Sequence, residues 1–80
     1  MKYTTYVLRD LKGNLYKGVT NDLERRLVEH QNGKTITTAK MKNISVAYTE
    51  EFDTFEQARK RELYLKSAAG RRFLKKKLGP

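Results

Sequence analysis

Leu15-Tyr16-Lys17-Gly18-Val19-Thr20-Asn21-Asp22-Leu23-Glu24-Arg25-Arg26-Leu27-Val28-Glu29-His30 is the stretch on which the fold turns. Its first residues, Leu15 to Val19, read as a strand, and the remainder reads as a capped helix with almost no linker between. Tyr16 and Gly18 are two apart and share a strand face, while Arg26 and His30 are four apart and share a helix face. Thr20 or Asn21 is placed to N-cap the helix, and Asn21 with Glu24 has the spacing of a capping box. Gln31-Asn32-Gly33 closes it, with Gly33 supplying the left-handed residue a helix end favours. A turn of about 100° per residue centres Leu23 and Leu27 on the inward stripe, with Arg26 and His30 along one edge. Arg25 points nearly opposite, so the two adjacent arginines are not equivalent.

Working outward, Tyr3 to Arg9 is rich in β-branched and aromatic residues and predicts a first strand, with Tyr6 and Leu8 on one face and Thr5 and Val7 on the other. Asp10 to Asn14 carries the Gly and Asn of a hairpin loop, which makes the two strands antiparallel. Downstream, Lys34 to Asn43 has no period and reads as a phosphate-friendly loop. Ile44 to Phe52 alternates as a third strand, with Ile44, Val46, Tyr48 and Phe52 on one face. Asp53 or Thr54 caps a helix over Phe55–Lys66, and Ser67 caps a last helix to about Leu78. The expected fold is a single α+β domain spanning residues 1–80, a three-stranded antiparallel sheet flanked by helices in the order β-β-α-β-α-α.

Eighty residues leave room for one thin core only. There is no cysteine, hence neither a disulfide framework nor a thiolate metal site. No apolar run approaches the roughly 20 residues a membrane span needs, so a cytoplasmic protein that does not engage membranes is expected. The balance of 18 Lys and Arg against 9 Asp and Glu is strongly basic. From Arg59 onward there are nine basic residues and one acidic residue, Glu62. Such charge points to a polyanionic partner, with nucleic acid leading and DNA expected. The residues expected to meet it are Lys17, Lys34, Lys40, Lys42, Lys66, Arg71 and Arg72.

Glu62 is the local conflict. It falls inside the apolar stripe of Phe55, Ala58 and Leu65, where an unpartnered carboxylate costs several kcal/mol, so an arginine, hydrogen bonds or a cation must hold it. The order of elements puts Tyr6, Tyr16, Gly18, Arg26, His30 and Glu62 within range of one another on the inner side of the sheet. These are parts suited to phosphodiester hydrolysis, which needs an activated water, a positive group at the phosphate and an acid for the leaving oxygen. Glu62 would ligate a hard divalent cation, which suits Mg²⁺ with water and phosphate as most of the other ligands. Arg26 would grip a phosphate oxygen. Tyr6 and Tyr16 are poor bases unaided, and His30 would take the proton or orient Tyr6. Gly18 would admit the substrate backbone or a helix.

At these residues the sequence resembles the GIY-YIG nuclease superfamily. Thr5-Tyr6-Val7-Leu8 and Tyr16-Lys17-Gly18 match the two name-giving motifs. The stretch from Asp22 to His30, the block Ala58-Arg59-Lys60-Arg61-Glu62 and the ending from Leu65 to Leu74 extend the match over nearly the whole chain. The resemblance is greatest to small standalone bacterial members described as excinuclease-like, whose relatives serve DNA repair. It implies a three-stranded sheet flanked by helices, one Mg²⁺ or Mn²⁺ at Glu62 and catalytic roles for Tyr6, Tyr16, Arg26, His30 and Glu62. Thr4 stands at the first motif's glycine, Lys17 replaces the aliphatic centre of the second, and a late asparagine of some members has no counterpart.

Taken singly, each residue has a plainer reading. The tyrosines serve a small core, His30 suits a helix C-terminus, and Glu62 could form an ion pair with Arg26. A metal-dependent endonuclease, acting as a monomer, accounts for them jointly. The alternative is a basic nucleic-acid-binding module on the same fold that cuts weakly or not at all.

Overall fold

A computed structural model of the chain describes residues 2–33 and 41–79. The strands are β1 (Tyr3–Arg9), β2 (Leu15–Thr20) and β3 (Ser45–Phe52), and the helices are α1 (Leu23–Gln31), α2 (Phe55–Lys66) and α3 (Ala68–Leu78). They follow in the order β-β-α-β-α-α, the α+β arrangement that the periodicities predict. The sheet order is β2-β1-β3, with β1 antiparallel to both neighbours. β2 and β3 therefore run parallel with β1 between them, and α1 is the crossover that joins them.

The central strand is buried on both faces, and its alternation sorts the molecule into layers. Tyr6 and Leu8 pack with Ile44, Tyr16, Met41 and the α1 residues Leu23 and Leu27. Val7 packs on the other face with Leu65 of α2, Leu74 of α3, Leu15 and Tyr48. Thr5 joins this second layer by donating its hydroxyl to the Ala58 carbonyl at 2.8 Å. So α1 covers one side of the sheet, and α2 with α3 cover the other.

Local chemistry explains most boundaries. Asp10 is buried in the hairpin loop, where it accepts from the Lys12 and Asn14 amides at 3.0 and 2.8 Å and from the Asn14 side chain at 2.9 Å. These bonds, led by that of the Asn14 side chain, hold its carboxyl below the usual range. α1 begins one residue later than expected: Thr20 Oγ1 accepts from the Asp22 amide, and Asp22 itself caps the helix by accepting from the Arg25 amide. The Asn21–Glu24 capping box is thus replaced by a Thr20 turn and an Asp22 cap. Gly33 takes the left-handed conformation expected after α1, with φ 71°. Thr54 caps α2. Ser67 ends α2 and starts α3, accepting from the Gly70 amide while donating to the Tyr64 carbonyl.

Two expectations of burial are corrected. β1 and β3 slip register between Val7 and Leu8, where Tyr48 and then Val46 are the partners, leaving Ala47 as the extra residue of a bulge. The bulge interrupts the expected alternation, and Val46 is 37% exposed although Tyr48 remains packed in the core. Phe55 is 52% exposed because it opens α2 at the sheet's margin, meeting Tyr3 edge-on at 5.8 Å. The buried stripe of α2 is instead Ala58, Glu62 and Leu65.

Candidate active site

Four of the expected residues converge. The Tyr6 hydroxyl and His30 Nε2 are 3.0 Å apart, and both side chains are nearly inaccessible, at 1%. The Tyr16 ring lies 4.8 Å from the His30 ring and 6.2 Å from that of Tyr6, centroid to centroid. Arg26, half-buried, stands close enough to both tyrosines for their hydroxyls to act on it, while its Nη1 pairs with Glu29 Oε1 at 3.1 Å. Arg25 is exposed. The α1 periodicity thus separated the two arginines correctly.

Electrostatics sets the protonation of this cluster. Burial pushes the Tyr6 phenol up to about 12, against the opposing pull of the Arg26 guanidinium. Burial also lowers the His30 pKa, and the positive charge of Arg26 adds to that. The Tyr6 hydroxyl, with Glu29, raises Arg26 above its ordinary range. At neutral pH the cluster therefore holds a neutral phenol, a neutral imidazole and a fixed cation. A neutral imidazole has one nitrogen that acts as an acceptor, the state in which it can take a proton.

Gly18 has a role other than admitting substrate. It is the direct cross-strand partner of Tyr6, and a Cβ placed on it would meet the Tyr6 hydroxyl oxygen at 2.6 Å and Cζ at 2.7 Å. Glycine there lets the Tyr6 ring pass across β2 towards His30. The hint was legible in the sequence as an aromatic and a glycine on paired strands.

Glu62 stands apart from the four. It is buried, 6% exposed, on the α2 layer, whereas Tyr6, Tyr16 and His30 lie on the α1 side of the sheet. Its Oε1 is 3.0 Å from Arg59 Nη1 and its Oε2 2.9 Å from Lys66 Nζ. Neither partner is Arg26. The two layers meet at the free edge of β2, where a hollow of about 370 Å³ is lined by Val19, Arg25, Arg26, Glu29 and Phe55, among others. A site using all five residues has to straddle this edge. Each Glu62 oxygen keeps a second lone pair, so one carboxylate remains able to ligate a mostly hydrated Mg²⁺ or Mn²⁺. Among the described residues no group of three or more His, Asp or Glu gathers into a full protein cage for a metal.

The basic set divides as well. Lys17, on the α2 and α3 side of β2, is close enough to Arg71 and Lys66 for their charges, after burial, to depress its pKa. Lys42 and Arg72 are exposed elsewhere, and Lys34 and Lys40 lie outside the described residues. Arg9, Lys12 and Lys75, which the sequence reading omits, share a cleft with Lys17 and Arg71. Strand alternation could have found Arg9, since it lies on the Val7 face. No helix among the described residues is long and apolar enough to cross a membrane.

Comparison with known proteins agrees with this geometry. A family model described as the GIY-YIG catalytic domain matches residues 2–77. A UPF0213 protein of Staphylococcus saprophyticus is 33% identical over 75 residues, covering 92% of each chain. A UPF0213 protein of Enterococcus faecalis is 39% identical over 64 residues, covering 76% of this chain and 73% of its own. The solution structure of a UPF0213 protein from Bacillus halodurans superposes with a TM-score of 0.60 at 28% identity, covering all of this chain and 89% of that one. With its motif tyrosines gathered around His30 and Arg26, and the match running through both flanking layers, the chain belongs to the GIY-YIG catalytic domain family, a family of nucleases.

Proposed function

We propose that the protein is a divalent-metal-dependent endonuclease that hydrolyses phosphodiester bonds in DNA. The observation that carries this reading is the buried Tyr6–His30 hydrogen bond lying behind half-buried Tyr16 and Arg26. Arg26 presents a permanently charged planar fork where a phosphate would sit, the geometry that favours the transition state's extra negative charge. The Tyr16 hydroxyl, which acts on Arg26, would pass a proton inward. His30, held neutral, is the proton's destination, and Tyr6, neutral up to about pH 12, fixes the imidazole's orientation. Glu62 is the residue that would hold Mg²⁺ or Mn²⁺. Such an ion supplies Lewis-acid polarisation of the phosphate and a more acidic water.

One observation favours a second reading, a nucleic-acid-binding module that does not cut. Both Glu62 oxygens are engaged by cations, and Glu62 lies on the opposite layer from the tyrosines. The test is cleavage of end-labelled duplex, single-stranded, nicked and branched DNA, plus RNA, with Mg²⁺, Mn²⁺ or chelator. Wild type is compared with Glu62→Gln and Arg26→Ala. The nuclease reading expects cutting that chelator abolishes and that each variant lowers by about a hundredfold or more, with binding retained in Glu62→Gln. Salt-sensitive binding without cutting under any metal supports the binding module instead.

A further inference from the structure

A large cleft among the described residues lies away from the tyrosines. It measures about 670 Å³ and lies between the β1–β2 hairpin and α3, on the opposite face of the sheet from His30. Five cations line it, namely Arg9, Lys12, Lys17, Arg71 and Lys75, from three separate elements and the hairpin loop. Among the described residues none of the five is in an ion pair, whereas Lys2, Arg26, Arg59, Arg61 and Lys66 each are. The cleft also holds one carboxylate, Asp10, which three hydrogen bonds fix within the hairpin loop and which feels the charge of Lys12. Folding thus gathers five cations against one carboxylate around a half-buried lysine, an excess of positive charge that repels itself until an anion enters.

Two features identify the anion. The cations are spread over the walls rather than focused on one point, which suits successive phosphates better than a single one. The apolar part of the lining is Leu11, Leu15, Leu74 and Leu78, with no aromatic ring. Sites for single strands ordinarily stack bases on aromatic side chains, so this cleft is equipped for backbone alone. It also joins the tyrosine cluster, because Lys17 stands between Tyr16 and Gly18 on the free edge strand β2 and faces the other way.

Resting on the proposed nucleic-acid function, we infer that the hairpin–α3 cleft binds the phosphate backbone of a duplex. One strand is held there while the neighbouring segment crosses the β2 edge to Arg26 and Tyr16. The cleft positions the duplex and takes no part in bond breaking.

The test uses the full chain in chelator, so that nothing is cut, across a salt series from about 50 to 200 mM. Binding of labelled duplex DNA, duplex RNA and single-stranded DNA of equal length is measured for wild type, for Arg71→Gln/Lys75→Gln, and for Lys60→Gln/Lys76→Gln. The last pair removes the same charge from exposed positions outside the cleft. All four positions are exposed, and a thermal melt verifies folding. The cleft pair should weaken duplex binding at least tenfold and reduce the slope of log K against log salt by about 1.8, close to 0.9 per lost phosphate contact. The control pair should change the slope by much less, and duplex should bind more tightly than single strand. Preference between the DNA and RNA duplexes names the source of the backbone. Equal effects from the two pairs, or tighter binding of the single strand, overturns the cleft assignment. A wild type that binds and cuts DNA while the cleft pair is neutral sinks this inference alone. A wild type that binds no nucleic acid at low salt sinks the nuclease reading and the cleft together.

Discussion

Replacing Gly18 with alanine separates the close packing of Tyr6 across β2 from the usual behaviour of strand glycines. Gly18 has no positive φ, and alanine in place of glycine ordinarily stabilises such a position by about 0.5–1 kcal/mol, through a less flexible unfolded chain. Here the new Cβ would sit 2.6 Å from the Tyr6 hydroxyl oxygen, whereas ordinary contact begins at 3.4 Å. The oxygen must therefore retreat by about 0.8 Å, in a site where Tyr6 is packed among Leu8, Leu23 and Leu27. Overpacking of this kind costs about 1–3 kcal/mol. The same movement breaks the Tyr6–His30 bond between two buried groups, which adds about 1–2 kcal/mol. Set against the backbone gain, the net loss is about 1–4.5 kcal/mol, and its centre of about 3 kcal/mol corresponds to roughly 12–24 °C in Tm for a domain of this length. Urea unfolding should show a lower midpoint with an unchanged m-value. Tyr6→Phe removes the nearest clashing atom, so Gly18→Ala should cost at least about 1 kcal/mol less in that background. A Gly18→Ala variant as stable as wild type, or more so, would refute the placement of Tyr6 across β2.

Gly70→Ala is expected to be more severe, because its Cβ would stand 1.9 Å from the Tyr64 carbonyl oxygen and 2.4 Å from the Leu65 Cα. Both are backbone atoms, and a loss of about 3 kcal/mol or more should result, visible as a collapsed thermal transition. His30 makes stability depend on acid. Its folded pKa lies below 6.5, so the unfolded chain takes up the proton first as pH falls. The stability is fully present above pH 6.5 and is lost as pH falls from there towards the folded pKa, at up to about 1.4 kcal/mol per pH unit. Urea midpoints of wild type should drop across that window more than those of His30→Asn, and equal drops would count against a buried neutral imidazole. Tyr6 acts at the other end, since its pKa rises from 10.0 to about 12 and the unfolded phenol ionises first. Stability should therefore decline between about pH 10 and 12. Burial also raises Tyr48, beside Glu50, so the phenolate absorbance should have a late portion, and Tyr6→Phe should remove the part of it that develops near pH 12.

Much of the candidate site was legible. The 3.6-residue period distinguished Arg26 from Arg25, and the same period put His30 on the face that meets Tyr6. The conflict at Glu62 was also visible as a carboxylate in an apolar stripe. Its resolution by Arg59 and Lys66 comes from helical neighbours three and four residues away, so the spacing already contained those partners. The Ala47 bulge was not legible, because an extra residue in one strand shows itself only against a partner strand. The cleft cations Arg9 and Lys75 were equally hidden as a set, being 66 residues apart in the sequence and adjacent to one groove only after folding.

The sequence by itself determined the elements, their order and which residues share a face. Caps, turns and periods arise between residues a few positions apart, whose interactions survive without knowledge of the rest. Only the tertiary structure decided which helix covers which face of β1. Alternation sends Tyr6 and Val7 to opposite sides, and contacts such as Tyr6 to His30 and Thr5 to Ala58, 24 and 53 residues apart, choose α1 for one and α2 for the other. That choice, a matter of how one small core closes on both sides of a single central strand, places Glu62 across the sheet from the tyrosines and opens the basic cleft beside α3.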